Sequence, residues 1–455
     1  MSHLDDSPAA GLLSSIEAVY KDQVSSGLRV ILPVAATLLL ASCRREAGVG
    51  DERLQPPPAR LSAVAPPPPA TPRVQSVVLI TVDTLRADQP WVGYQGLVTP
   101  SLSSLAAKSV VYTRAYALAH FTTASLNGML ASRYPSELSR TDCDLGRYDI
   151  PESLAPTLKA AGVTTFAAHG HAIFAGDSAP RRGFDEWRLI VGAAGRMQTK
   201  GAVTGPDIAQ LVTKYFENDR PKTSLFAWAH FVDPHDAYVA HERFPPRGKQ
   251  PRQVYDSEVA STDAAIGSVL ESIERSGMAG STAILLTADH GEAFGEHGTT
   301  KHGSSLYEEE VRVPLILYVP GVEPKTIDTP RSTLDVAPTV AQLLGVDRNP
   351  SWLGVSLLED LKGTPPAART IIVDVPAAYS RPPRQAVIRG QSKVMLMGTS
   401  AQAFDLGLDP GERTQLSDDA AKGPIESARQ ELGRLRSIAG TPCAARSLTP
   451  RTEAL

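Results

Sequence analysis

The chain has 455 residues, of which 42% are hydrophobic and 21% charged, and its formal net charge is −4. This balance excludes a fibrous or disordered chain, and it provides neither the positive charge nor the dense basic run of a nucleic-acid groove. A chain of this length can bury one large core and a smaller satellite.

The first element is the apolar run Val30 to Leu40, which has signal-peptide length and is too short to span a bilayer. It ends in Leu40-Ala41-Ser42-Cys43, which resembles the lipobox of bacterial lipoproteins. The resemblance implies acylation of Cys43 and a lipid-anchored place in the cell envelope, on its periplasmic or extracellular face. Met1 to Gly27 departs from a basic leader because it is long and carries Asp5, Asp6 and Glu17, so a buried or partly helical apolar element is the competing reading of the run and the true start stays open. Arg44-Arg45 and the clusters Pro56-Pro57-Pro58 and Pro66-Pro67-Pro68-Pro69 follow, reading as an extended tether of about 3 Å per residue. Cys143 and Cys443 would remain as candidates for a disulfide in an oxidising compartment.

Next comes a buried strand, Val77-Val78-Leu79-Ile80-Thr81-Val82, ending in Asp83-Thr84-Leu85-Arg86-Ala87-Asp88. A hydroxyl cluster, Thr122-Thr123-Ala124-Ser125, opens a helix that closes at Tyr134-Pro135. A strand-like run, Ser224 to Ala227, leads into Trp228-Ala229-His230-Phe231-Val232-Asp233-Pro234-His235-Asp236. The helical pattern Tyr255 to Gly277, apolar at Val259, Ile266, Val269, Leu270 and Ile273, feeds a further strand at Ala283-Ile284-Leu285-Leu286. That strand delivers Asp289-His290-Gly291-Glu292. An aspartate alone after a strand reads as a helix cap; two of them with an imidazole supply the oxygen and nitrogen donors that hold a hard or borderline divalent cation. The βα alternation predicts an α/β sandwich with a large, mainly parallel sheet, whose carboxyl edge carries the site. From about Ala368 short strands take over, Thr370 to Val373, Ala386 to Gly390 and Lys393 to Met397, with a closing helix over Ile425 to Ile438.

The order Asp83, hydroxyl cluster, Asp289-His290, Gly295-Glu296-His297-Gly298, Tyr307-Glu308-Glu309-Glu310, Asp335-Val336-Ala337-Pro338-Thr339 and Phe404-Asp405-Leu406 resembles the sulfatase family of the alkaline phosphatase superfamily, from about Val77 to Leu416. The resemblance implies an alkaline-phosphatase-like sandwich with a small antiparallel C-terminal subdomain. It divides the chain into a leader at 1–43, a proline-rich linker at 44–73, a catalytic domain at 74–367, a subdomain at 368–440 and a tail at 441–455. It also implies that Asp83, Asp289 and His290, with Thr122, ligate a divalent metal ion, whether calcium, magnesium, manganese or zinc, as one ion or two. The family usually has two adjacent aspartates after the first strand, whereas Thr84 follows Asp83 here.

The family's nucleophile lies in a Cys/Ser-x-Pro-x-Arg motif, and Thr122 occupies its place, with Ala124 and Leu126 at the proline and arginine positions. Threonine cannot become formylglycine, so the chain looks more like the threonine-nucleophile branches that cleave or transfer phosphoesters and phosphonates. A cation at the hydroxyl would favour its alkoxide. His235, Lys301, His302 and His171 are the catalytic candidates beside Thr122, with His169 and His230 as substrate contacts. A second cation would draw on His235, His302 and Asp233; Asp88, Glu292, Glu296 and Glu308 read as caps and surface charges.

The expected function is a metal-dependent, envelope-anchored hydrolase of sulfate or phosphate/phosphonate esters of a glycan, lipid or small molecule. The alternatives are a transferase of phosphoryl-linked head groups and a non-catalytic binder of anionic glycans or lipids.

Overall fold

The computed structural model describes residues 72–142, 147–174, 178–190, 203–362, 367–377 and 382–434. The leader, Cys43, most of the linker, Cys143, Cys443 and the tail lie outside the described residues.

In chain order, β1 (Ser76–Val82), α1 (Pro100–Ala107), β2 (Val110–Tyr116) and α2 (Thr122–Ala131) precede a ribbon of β3 (Ser139–Asp142) and β4 (Arg147–Asp149). Then come α3 (Leu154–Ala160), β5 (Thr164–His169), β6 (Glu186–Leu189), α4 (Gly205–Lys214), β7 (Leu225–Phe231), α5 (Pro251–Arg275) and β8 (Thr282–Ala288). A second ribbon, β9 (Ala293–Phe294) with β10 (Thr300–Lys301), leads to α6 (Glu308–Val311), β11 (Arg312–Tyr318), β12 (Lys325–Ile327), β13 (Arg331–Ser332) and α7 (Val336–Leu343). The chain closes with β14 (Ile371–Val375), β15 (Arg384–Arg389), β16 (Ser392–Met397), β17 (Ser400–Asp405) and α8 (Asp418–Leu432).

The central sheet runs β12-β2-β11-β8-β1-β7-β5-β6, with β13 also on β2. β1, β7 and β8 are buried along their whole length because helices cover both faces, which is why they read as unbroken apolar runs rather than alternating ones. The sheet is mixed: β11 runs antiparallel to both β8 and β2, while the β1, β7, β8, β5 and β6 pairings are parallel. Val82 is level with Phe231 on one side and Ala288 on the other, so the carboxyl ends of β1, β7 and β8 share one edge. The residues that follow them are thereby brought together at that edge.

Two helix boundaries differ from the sequence reading. α5 starts at Pro251, where a missing amide costs nothing, and the Gln250 N–H donates to Gln253 Oε1 at 3.1 Å. α8 starts at Asp418 rather than Ile425, with Asp418 and Asp419 in its first turn facing the positive end of the helix dipole, and it accommodates Pro424. The C-terminal strands form an antiparallel meander, β14-β15-β16-β17. Lys393 on β16 ties it to the larger sheet, its Nζ 2.9 Å from both Glu308 and Glu412 and fully buried.

Candidate active site

The chain leaves β1 into Asp83 and leaves β8 into Asp289 and His290, and all three side chains are fully buried. Thr84 takes a left-handed φ of 57°, and its amide donates to Asp289 Oδ1 at 3.2 Å. A second amide, that of His290, donates to the same oxygen at 2.9 Å. Gly291 is needed for close approach, since a Cβ there would lie 2.1 Å from the Glu309 carbonyl oxygen. The amides of Gly291 and Glu292 donate to Glu310 O and Glu309 O, which fixes the direction in which His290 and Glu292 leave the backbone.

Thr122 is the first residue of α2, and Ser125 Oγ donates to Asp289 O at 2.5 Å, holding the helix start against the β8 loop. Thr122 Oγ1 then stands 3.2 Å from His290 Nε2 and 3.5 Å from Asp83 Oδ2. His290 Nε2 is 3.6 Å from Asp83 Oδ1 and 3.5 Å from Asp289 Oδ2.

The electrostatics of this arrangement suit a bound cation. Burial, then the charges of Asp289 and Glu292, push the Asp83 carboxyl well above its ordinary range, and burial raises Asp289 as well. Burial holds His290 well below its ordinary value, keeping it neutral. Asp83 Oδ1 and Asp289 Oδ2 are buried without a hydrogen-bond partner, which is costly for carboxylate oxygens. Two carboxylates and a neutral imidazole fit a divalent cation, and one ligand atom from each of Asp83, Asp289 and His290 lies within 4.8 Å of the others. The same spacing holds for Asp83, His171 and His235.

The partly open rim carries His171, His235 and His302. His171 Nε2 is 3.6 Å from Asp83 Oδ2, and burial pulls its pKa to about 3. Burial lowers His235 to about 4, and its Nδ1 lies 2.6 Å from Asp236 O. His302 differs: burial opposes its charge, but the Glu292 carboxylate, 3.1 Å from Nδ1, outweighs that and raises its pKa. Glu292 is fully buried and hence no surface charge; its position three residues after Asp289 was the available signal. Lys301 is exposed, and its Nζ pairs with Asp236 at 2.8 Å.

Three expectations are corrected. His169 is not a substrate contact: it is fully buried, 4.5 Å from the Trp187 ring and 5.6 Å from Phe174, at the end of β5 where the sheet face is covered. His230 is fully buried as well, bonded to Thr81, and its Nε2 faces Asp83 Oδ2 at 3.9 Å, so it lies behind the carboxylate and not at the opening. Asp233 takes no part in a second cation cage, because its carboxylate accepts from the Thr204 amide at 2.9 Å and the Gly205 amide at 2.6 Å at the start of α4. Asp88 and Glu296 bind Arg86, and Glu308 binds Lys393.

An α/β sheet whose carboxyl edge carries a hydroxyl beside oxygen and nitrogen donors that could hold a metal ion matches a class of ester-cleaving enzymes. Residues 75–346, more than half of the chain, match the family model described as Sulfatase, and the chain belongs to that family. The choline-sulfatase of Rhizobium meliloti (strain 1021) is 32% identical over 184 residues, covering 40% of this chain and about a third (35%) of the relative. The ulvan-active sulfatase of Formosa agariphila is 23% identical over 412 residues, covering 79% of this chain and 80% of the relative. Among solved structures, Ps i-CgsB in complex with k-i-k-neocarrahexaose superposes with a TM-score of 0.69 at 17% identity, covering 82% of this chain and 94% of that one. The phosphonate monoester hydrolase of Agrobacterium radiobacter does so with a TM-score of 0.64 at 18% identity, covering 79% and 95%. At these identities the two structures establish the shared fold.

Proposed function

We propose that the chain is a metal-dependent hydrolase of sulfate or phosphate/phosphonate esters that works through Thr122. The observation that carries this reading is the convergence of Thr122 Oγ1 on His290 Nε2 and Asp83 Oδ2, at 3.2 and 3.5 Å. A divalent cation held by Asp83, Asp289, His290 and Thr122 would supply positive charge that favours the alkoxide and offsets charge on the ester.

Thr122 Oγ1 attacks sulfur or phosphorus in line with the leaving alcohol; the Oγ1–S or Oγ1–P bond forms as the bridging ester bond breaks. Asp83 Oδ2, 3.5 Å away, takes the Thr122 hydroxyl proton as Oγ1 attacks and returns it to Thr122 when the ester is cleaved, which leaves Asp83 Oδ1 and His290 Nε2 for the cation. His302, whose pKa the Glu292 contact raises against burial, is the acid that donates a proton to the departing alkoxide. Water then cleaves the Thr122 ester, and its proton returns to His302. His171, neutral on the rim with its Nδ1 accepting from the Ile173 amide, provides an Nε2–H hydrogen bond to a non-bridging oxygen.

The names of the relatives, which include a choline-sulfatase and an ulvan-active sulfatase, support an anionic ester borne by a small molecule or a glycan. Nitrophenyl sulfate, phosphate monoester, phosphodiester and phosphonate, each assayed with magnesium, calcium, manganese and zinc, test the reading; no turnover in any combination would sink it. The leader and tether reading places the enzyme on the envelope through an acylated Cys43. Release of the protein from membranes by Cys43→Ala would support that placement, and unchanged partitioning would remove it.

A further inference from the structure

Thr81 and His230 are register partners on β1 and β7, directly before the edge that carries Asp83. Trp228 Nε1–H donates to Thr81 Oγ1 at 2.9 Å, and the same oxygen lies 2.9 Å from His230 Nδ1. All three side chains are fully buried. His230 Nε2 has no hydrogen-bond partner and faces Asp83 Oδ2 at 3.9 Å.

A hydroxyl has one proton to give, and the indole N–H already occupies one of its lone pairs. If His230 carried its proton on Nδ1, the Thr81 proton would be buried with no acceptor among the described side-chain bonds, and the Nε2 lone pair would face a carboxylate oxygen. With the proton on Nε2, Thr81 donates to Nδ1 and the N–H dipole points at the carboxylate; both penalties vanish. A backbone hydrogen bond with Thr81 also favours a proton on the ring, the last of the influences on it, but it gives the Thr81 hydroxyl proton no acceptor. His290 and His235 show the opposite pattern, their Nδ1 atoms facing Gly291 O at 2.9 Å and Asp236 O at 2.6 Å, which leaves Nε2 lone pairs for a cation or a proton.

We propose that Thr81 is a positioning residue: together with Trp228 it locks His230 in the Nε2–H tautomer, and His230 presents that N–H to Asp83 and keeps the carboxylate turned toward the cation. His230 is thus neither a cation ligand nor a substrate contact. The role toward Asp83 rests on the cation reading above; the tautomer does not.

Proton–nitrogen correlation NMR on the full chain decides the tautomer, with the His230 ring assigned by its absence from His230→Gln. Nε2 is expected to be protonated and Nδ1 unprotonated, before and after addition of Mg2+ or Ca2+. Thr81→Val, which keeps the side-chain shape and removes the hydroxyl, is expected to lose this preference and to bind the same cation about tenfold more weakly, with Thr81→Ser restoring both. A protonated Nδ1 in the wild type, or wild-type cation affinity in Thr81→Val, overturns the proposal. Should Thr81→Val fail to fold, the wild-type spectrum and Thr81→Ser decide alone. Absence of any cation binding would remove the ligand role of Asp83 while leaving the spectrum to decide the tautomer.

Discussion

Thr122 Oγ1 lies 3.2 Å from His290 Nε2 across 168 positions of sequence, joining the first residue of a helix to the loop after a buried strand. Neither element alone makes a reactive centre. The hydroxyl is unactivated without its neighbours, and the Asp83–Asp289 pair holds two buried carboxylates with unmatched oxygens. Their meeting places at one point the hydroxyl proposed as nucleophile and an electrostatic demand that a cation would meet.

That demand predicts the response to metal. Chelation is expected to abolish turnover and to lower Tm, because the carboxylates then lose their counter-charge; readdition restores both. A cation at a hundred times its Kd stabilises by about 2.7 kcal/mol, a Tm increase of several degrees. Thermal melts with and without chelator check this, and Asp289→Asn is expected to lose the cation-dependent shift.

Glu292 and His302 are expected to act as a pair. His302 stands above its ordinary pKa because the Glu292 contact outweighs burial, so Glu292→Gln leaves burial in control and the pKa falls. An acid with a lower pKa loses its proton at lower pH, so the alkaline limb of the kcat/KM profile is predicted to move to lower pH, with kcat reduced about 10²-fold. An unmoved limb would remove His302 from the role of acid.

Lys393 holds the C-terminal meander through two fully or largely buried carboxylates, and its pKa is raised by Glu308 and Glu412 against the opposing effect of burial. Lys393→Met would leave those carboxylates buried without their cation, a loss of about 3–5 kcal/mol measurable by urea denaturation.

Glu258 gives a pH signature separate from the active site. Burial and the charge of Asp233 raise its pKa from 4.5 to about 8, while its Oε2 accepts from the Val239 amide at 3.1 Å. A raised carboxyl pKa contributes stability that is complete below 4.5 and lost as pH rises through about 8. Denaturation of Glu258→Gln and wild type across that window is expected to show the variant gaining on the wild type toward pH 8, by up to a few kcal/mol.

How much of this was legible follows from where each residue sits. Asp83, Asp289 and His290 follow apolar runs that are buried on both faces, so sequence alone placed them at one sheet edge. The place of Thr122 at a helix start was readable from its motif position. His169 and His230 were not, because these register partners on β5 and β7 take their surroundings from the layers over the sheet, which a linear pattern does not encode. Asp233 carried the same ambiguity: whether it binds a cation or a helix start depends on Gly205, 28 residues away. The Glu292–His302 contact closes a ten-residue loop whose path is set by backbone bonds to Glu309 and Glu310.

The most direct test of the account is the mass of the rapidly quenched enzyme during turnover, with peptide mapping across α2. The account predicts one sulfuryl or phosphoryl group on Thr122, absent from Thr122→Ala, which is expected to lose at least about 10³-fold in kcat. Full turnover by Thr122→Ala, or an adduct on any other residue with Thr122 unmodified, would contradict it.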